Sequence, residues 1–267
     1  MGSRGKRAAY NPPDRRICAK GLHMSLPNLA IAPKQFTAIA GIILLLIAVF
    51  GTFGIAYVPS VIIAPDDAAK TASNLLANQT LFGLGVFSDV FVMLAEIVLS
   101  VMIFTLFRPI SPTLALIAAV ARLMMVGVMA VNLLIYITPL ILLRGHEMQS
   151  DTQLTALMLF EVHGYGVYVW NLFFGLHLAA LGWLIFKSDY FPRSLGLAIL
   201  VGSFGYSLNG LLAVTFFENS LAQILANVLL AVASIAELAF GFWLLIKGAK
   251  TADSHGANNA LNKEVFP

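Results

Sequence analysis

Six stretches of this chain, residues 36–58, 82–107, 113–143, 154–186, 194–216 and 221–246, run almost unbroken in apolar side chains. Each exceeds the roughly 20 residues that a helix needs to cross a hydrocarbon core about 30 Å thick. A membrane-spanning strand would need only about ten residues and would alternate in polarity. Runs such as AGIILLLIAVF at 40–50 do not alternate. The expected fold is therefore all-α, a polytopic bundle of six transmembrane helices. Composition agrees: 59% hydrophobic residues, 11% charged residues and a mean hydropathy of +0.87 lie far outside the mix of a soluble domain.

Short cytoplasmic loops retain lysine and arginine, so the charge distribution predicts orientation. Arg4, Lys6, Arg7, Arg15, Arg16, Lys20 and Lys34 precede the first span, and the same side receives Arg108, Lys187, Arg193, Lys247, Lys250 and Lys263. The opposite loops hold only Lys70 and Arg144. Both termini are expected in the cytoplasm. Three parts follow: a basic cytoplasmic arm at 1–35, a transmembrane domain at 36–248, and a polar, disordered cytoplasmic tail at 249–267. The arm MGSRGKRAAYNPPDRRICAKGLH lacks the apolar core of a secretory signal, and its NPPD segment fits an amphipathic targeting helix poorly. Two readings stay open, an arm drawn to anionic lipid and a translation start at Met24. Cys18 has no second cysteine to pair with.

Local signals refine this picture. The loop at 59–80 is expected to hold a short surface helix beginning near Asp66, and its NQT at Asn78 is too short a pattern to establish glycosylation. In KSDYFPRS, residues 187–194, Pro192 breaks the helix and Ser194 is expected to cap the next one.

Polar side chains inside apolar spans are costly and tend to face the bundle interior. At about 1.5 Å per residue, Glu96, Arg122, His177 and Glu237 fall in one layer, roughly 13 to 17 Å from the cytoplasmic ends, with Ser203 at a similar level. Glu96 and Arg122 flank the turn RPISP at nearly matching register, which predicts an ion pair. A second stripe, Asp89, Asn132, His163 and Asn227, lies nearer the outer face. Two accounts of the layer stay open. Its members neutralise one another and set helix register, or two carboxylates facing one arginine leave one free to relay protons beside His177.

Other chemistries find little support. His163 and His177 nearly share a helix face with Trp170, a spacing suited to haem, but no other span carries a histidine. Zinc chemistry needs more convergent ligands than Glu96, His177 and Glu237 provide. No phosphate loop or nucleophile motif is present, so no catalytic residue, metal or cofactor is assigned. The net charge of +3 reflects topology and not nucleic-acid binding.

The run FFGLHLAALGWLIFKSDYFPRSLGLAILVGSFGY, residues 173–206, resembles the bacterial membrane family catalogued as domain of unknown function 4386, with its F-G-L-H-L start, aromatic-Pro-Arg turn and Gly-rich helix ending in G-Y. DVFVMLAEIVLSVMIFTLFRPISPTLALIAAVARLMM and ELAFGFWLLIKG are similar to other parts of that family, in the same order. The resemblance implies a multi-pass protein of the bacterial cytoplasmic (inner) membrane and supplies no activity. The leading expectation is a non-enzymatic accessory or scaffold subunit, with the bilayer and other membrane subunits as partners. The alternative is a small-solute or proton-coupled transporter using the polar layer, and the third is an intramembrane enzyme or cofactor-binding protein.

Overall fold

The computed structural model describes residues 34–145 and 149–248. The basic arm up to residue 33, the alternative start at Met24 and the tail from 249 lie outside the described residues. Six helical segments are long and apolar enough to cross a membrane. The first is composite: α1 (Lys34–Thr52), a π-helical turn (Phe53–Tyr57) and α2 (Val58–Ile62). A short α3 (Ala68–Ala77) precedes the remaining spans, α4 (Gln79–Phe107), α5 (Pro112–Gly145), α6 (Ser150–Lys187), α7 (Arg193–Val214) and α8 (Ser220–Ile246). No strand occurs among the described residues.

Hydropathy sets these elements, and the differences lie at their ends. The first apolar run stops at residue 58, yet the helix continues to Ile62. Pro59 sits in the first turn of α2, where a missing N–H costs little, and the π turn before it absorbs the misfit. α6 begins at Ser150, four residues before its apolar run, with Asp151 in its first turn, where a carboxylate favours the helix dipole. The surface helix near Asp66 is α3. Asp66 takes the turn at φ 62°, and the Asp67 carboxylate accepts from the Lys70 N–H at 2.9 Å as the cap. Ser194 does not cap α7: Pro192 occupies the N-cap position, no side chain caps it, and Arg193 is already helical. With Pro192 at the N-cap the helix starts two residues earlier than a Ser194 cap would place it.

Each span packs on its neighbours in chain order, and α1 closes the ring against α8. Close approach at that seam depends on Gly41, where an added Cβ would lie 2.6 Å from the Leu245 backbone nitrogen and 2.7 Å from the Gly241 carbonyl. These contacts lie at the end of the bundle that carries Lys34, Arg108, Lys187, Arg193 and Lys247, the basic end. Toward its far end the first span leans instead on α4, where Gly85 faces Val58 of α2. α1 and α8 thus part company, and a gap opens between them. One apolar cluster fills the basic half, around Leu99, Ile103, Leu178 and Phe240. A second, with Ile62, Leu75, Phe82 and Tyr136, closes the far end beneath α3.

Candidate functional site

Between the two clusters lies a charged constellation. Glu96 on α4, Arg122 on α5 and His177 on α6 are all at most 2% exposed. The Arg122 Nε donates to a Glu96 carboxylate oxygen, forming an ion pair. Arg122 NH1 lies 2.8 Å from His177 Nε2, and His177 Nδ1 lies 2.8 Å from the Ala118 carbonyl. An arginine can only donate and a carbonyl can only accept, so Nε2 is the acceptor and Nδ1 carries the proton. His177 therefore bridges two successive turns of α5, with both ring nitrogens engaged. The guanidinium also lies 5.7 Å from the centroid of Phe174, a cation–π distance.

Glu237 on α8 faces this constellation without joining it. Among the described residues no hydrogen bond or ion pair reaches its carboxylate, while Arg122 is held by Glu96 and His177. Glu237, Glu96 and Arg122 line a cavity of about 770 Å³ to which all six spans contribute. The rest of its wall is largely apolar or aromatic, including Leu44, Trp170, Phe174 and Tyr206. Val49 on α1 and Phe242 on α8 line it too, yet are 66% and 52% exposed on the outside of the bundle. The cavity therefore opens sideways between α1 and α8.

A smaller pocket of about 30 Å³ lies farther from the basic end, lined by Asp89, Asn132, His163, Gly166 and Ile55 among others. The Asn132 amide donates to the His163 carbonyl at 3.0 Å, and the His163 Nδ1–H donates to the Asn132 carbonyl at 3.3 Å. These two bonds tie α5 to α6. The side-chain oxygens Asp89 Oδ1 and Asn132 Oδ1 are buried without a hydrogen-bond partner among the described residues, as is Trp170 Nε1. Trp170, Met129 and Ile55 line both this pocket and the central cavity, so they form the partition between them.

Of the layer Glu96, Arg122, His177 and Glu237, three line one cavity while the fully buried His177 is bonded to Arg122, and Glu237 is the member without a bond among the described residues. Of the second stripe, Asp89, Asn132 and His163 converge. Asn227 stands apart, exposed on α8 and accepting from Gln223 on its own helix at 3.2 Å. Ser203 donates to its own helix, to the Leu200 carbonyl at 2.6 Å, and does not line the cavity. Among the described residues no group of three or more His, Cys, Asp or Glu converges as a metal site would. Depth-based reading passes over the buried Asn171–Asn209 hydrogen bond of 3.0 Å between α6 and α7. It also passes over Tyr206 and Ser234, which line the cavity. The signal for the asparagines was present, as amides inside apolar runs.

Comparison with known proteins adds a family and no chemistry. The family model described as domain of unknown function (DUF4386) matches residues 39–248. An uncharacterized protein of Archaeoglobus fulgidus is 26% identical over 162 residues, which cover 61% of this chain and 82% of the relative. No solved structure gives a significant match.

Proposed function

We propose, for a chain that belongs to the DUF4386 family, that it is a small-solute carrier whose central cavity takes an amphiphile with a cationic head and an apolar tail. The observation that carries this reading is Glu237, a carboxylate without a hydrogen-bond or ion-pair partner among the described residues, in a cavity whose guanidinium is already held by Glu96 and His177. An intramembrane charge of this kind is expensive unless something pairs with it. An ammonium group would pair with Glu237 and lie against the aromatic faces of Trp170, Phe174 and Tyr206. The sideways opening between α1 and α8 suits entry from the bilayer, where the tail would already be dissolved.

Binding of a fluorescent alkylammonium to the purified protein in nanodiscs tests the reading. Saturable binding is expected for the native chain and its loss for Glu237→Gln. Equal binding by both proteins would remove Glu237, and the carrier, from the account.

The accessory-subunit reading has one observation in its favour. Gln223 and Asn227 are exposed on α8 beside exposed Leu221, Ile224 and Val228, and a partner helix would satisfy such amides. A photocrosslinker at Asn227 that captures only lipid would remove that support. The proposed location is the bacterial cytoplasmic membrane with both termini inside, on the strength of the lysine and arginine distribution.

A further inference from the structure

The small pocket at Asp89 and Asn132 has what a monovalent cation needs, and we infer that it is a sodium site. Asp89 and Asn132 are 9% and 7% exposed, and each presents to the pocket a side-chain oxygen without a donor among the described residues. Two ion pairs occur among the described residues, Arg122–Glu96 and Arg193–Asp189, and neither involves Asp89. Two titratable groups lie near Asp89: His163 in the pocket wall, whose Nδ1–H is already given to the Asn132 carbonyl, and Tyr136, whose buried hydroxyl has no hydrogen-bond partner among the described residues.

The first span supplies a second, independent feature. Its π turn runs beside Asp89: a Cβ on Gly54 would lie 2.6 Å from Asp89 Oδ1. The Val58 N–H bonds to the Phe53 carbonyl, so Gly54 loses its usual donor four residues on. Ile55 loses its own because the residue four later is Pro59, which has no N–H. Two successive backbone carbonyls therefore lack the N–H four residues on where the span passes the pocket, and Ile55 is part of the pocket wall. Loosened helix carbonyls beside a carboxylate are how membrane carriers hold small cations. One carboxylate with neutral oxygens suits a single positive charge, whereas calcium takes six to eight oxygens and usually several carboxylates. A volume of about 30 Å³ admits one ion or one water.

This inference stands apart from the carrier reading, since the site is separate from Glu237 and binding is measured without transport. The experiment is thermal unfolding of the full chain in nanodiscs, with sodium chloride replaced by potassium or choline chloride at constant ionic strength. Trp170 fluorescence is followed in parallel in a Trp183→Phe, Trp243→Phe background. Sodium is expected to raise the midpoint saturably and to change Trp170 emission, because the indole borders the pocket. Asp89→Asn and Asn132→Ala should lose both responses, and Pro59→Ala, which restores a donor for Ile55, should weaken them. Asp151→Asn should keep both. The same midpoint and emission in all three salts for the native chain would overturn the inference. That outcome would mean a protonated Asp89 donating to Asn132, or one water bridging the oxygens to Trp170. A sodium response that survives in Asp89→Asn would overturn it equally.

Discussion

Arg122 is the side chain on which the buried charges depend, because it donates to both Glu96 and His177. Arg122→Met would leave a carboxylate and an imidazole nitrogen without their donor at once. Breaking a buried ion pair from one side costs about 3 to 5 kcal/mol, so this should be the most damaging single change in the layer. Glu96→Gln breaks the same pair from the other side, but it keeps an acceptor oxygen and leaves His177 bonded, so its cost should fall at the low end of that range, about 3 kcal/mol. The double variant should recover part of the Arg122→Met loss but not all, since His177 Nε2 remains without its donor. Unfolding in detergent of the two single variants and the double one measures this. Strictly additive losses would mean that the three groups do not act together.

Helix contacts in this bundle are close because small residues sit where backbones cross, and the positions can be told apart. An added Cβ at Gly182 of α6 would lie 2.5 Å from the Leu200 backbone nitrogen and 2.9 Å from the Gly196 carbonyl of α7. Gly127 of α5 has nothing within 4 Å of the same atom. Gly182→Ala should force α6 and α7 apart at a cost of about 1 to 3 kcal/mol, the usual penalty for overpacking. Gly127→Ala should be neutral or stabilising by up to about 1 kcal/mol, since alanine is the better helix former. The unfolding midpoints of the two variants should move in opposite directions or differ clearly. Equal shifts would place the α6–α7 crossing wrongly.

At the scale of the whole molecule, the ring leaves one seam closed at the basic end and open beyond it. Ala48 of α1 lines the cavity beside that opening. Ala48→Trp should fill the mouth and abolish alkylammonium binding while leaving the Glu96–Arg122–His177 constellation and the unfolding midpoint nearly unchanged. Full binding by this variant would mean that the ligand enters elsewhere. Orientation has its own test: a cysteine at Lys70 should react with an impermeant maleimide added outside whole cells, and one at Arg193 should not. The reverse pattern would invert the protein in the membrane.

Span number was legible because it depends on run length alone: a rise of about 1.5 Å per residue against a fixed hydrocarbon thickness needs no tertiary information. The Glu96–Arg122 contact was legible for a related reason. Two helices joined by a four-residue turn at 108–111 keep their register, so equal distance from the turn means equal depth. Rotation about each helix axis was not legible. Lipid is as apolar as the bundle interior, so these spans carry no strong polar face to say which way a residue points. Depth alone therefore grouped Asn227 with Asp89, Asn132 and His163, although the packing of α8 turns it outward. The same rotation decides that Glu237 faces a cavity without a bonded partner while His177, at the same depth, is held at both nitrogens. Depth is a property of the chain, and facing is a property of how six helices close into a ring.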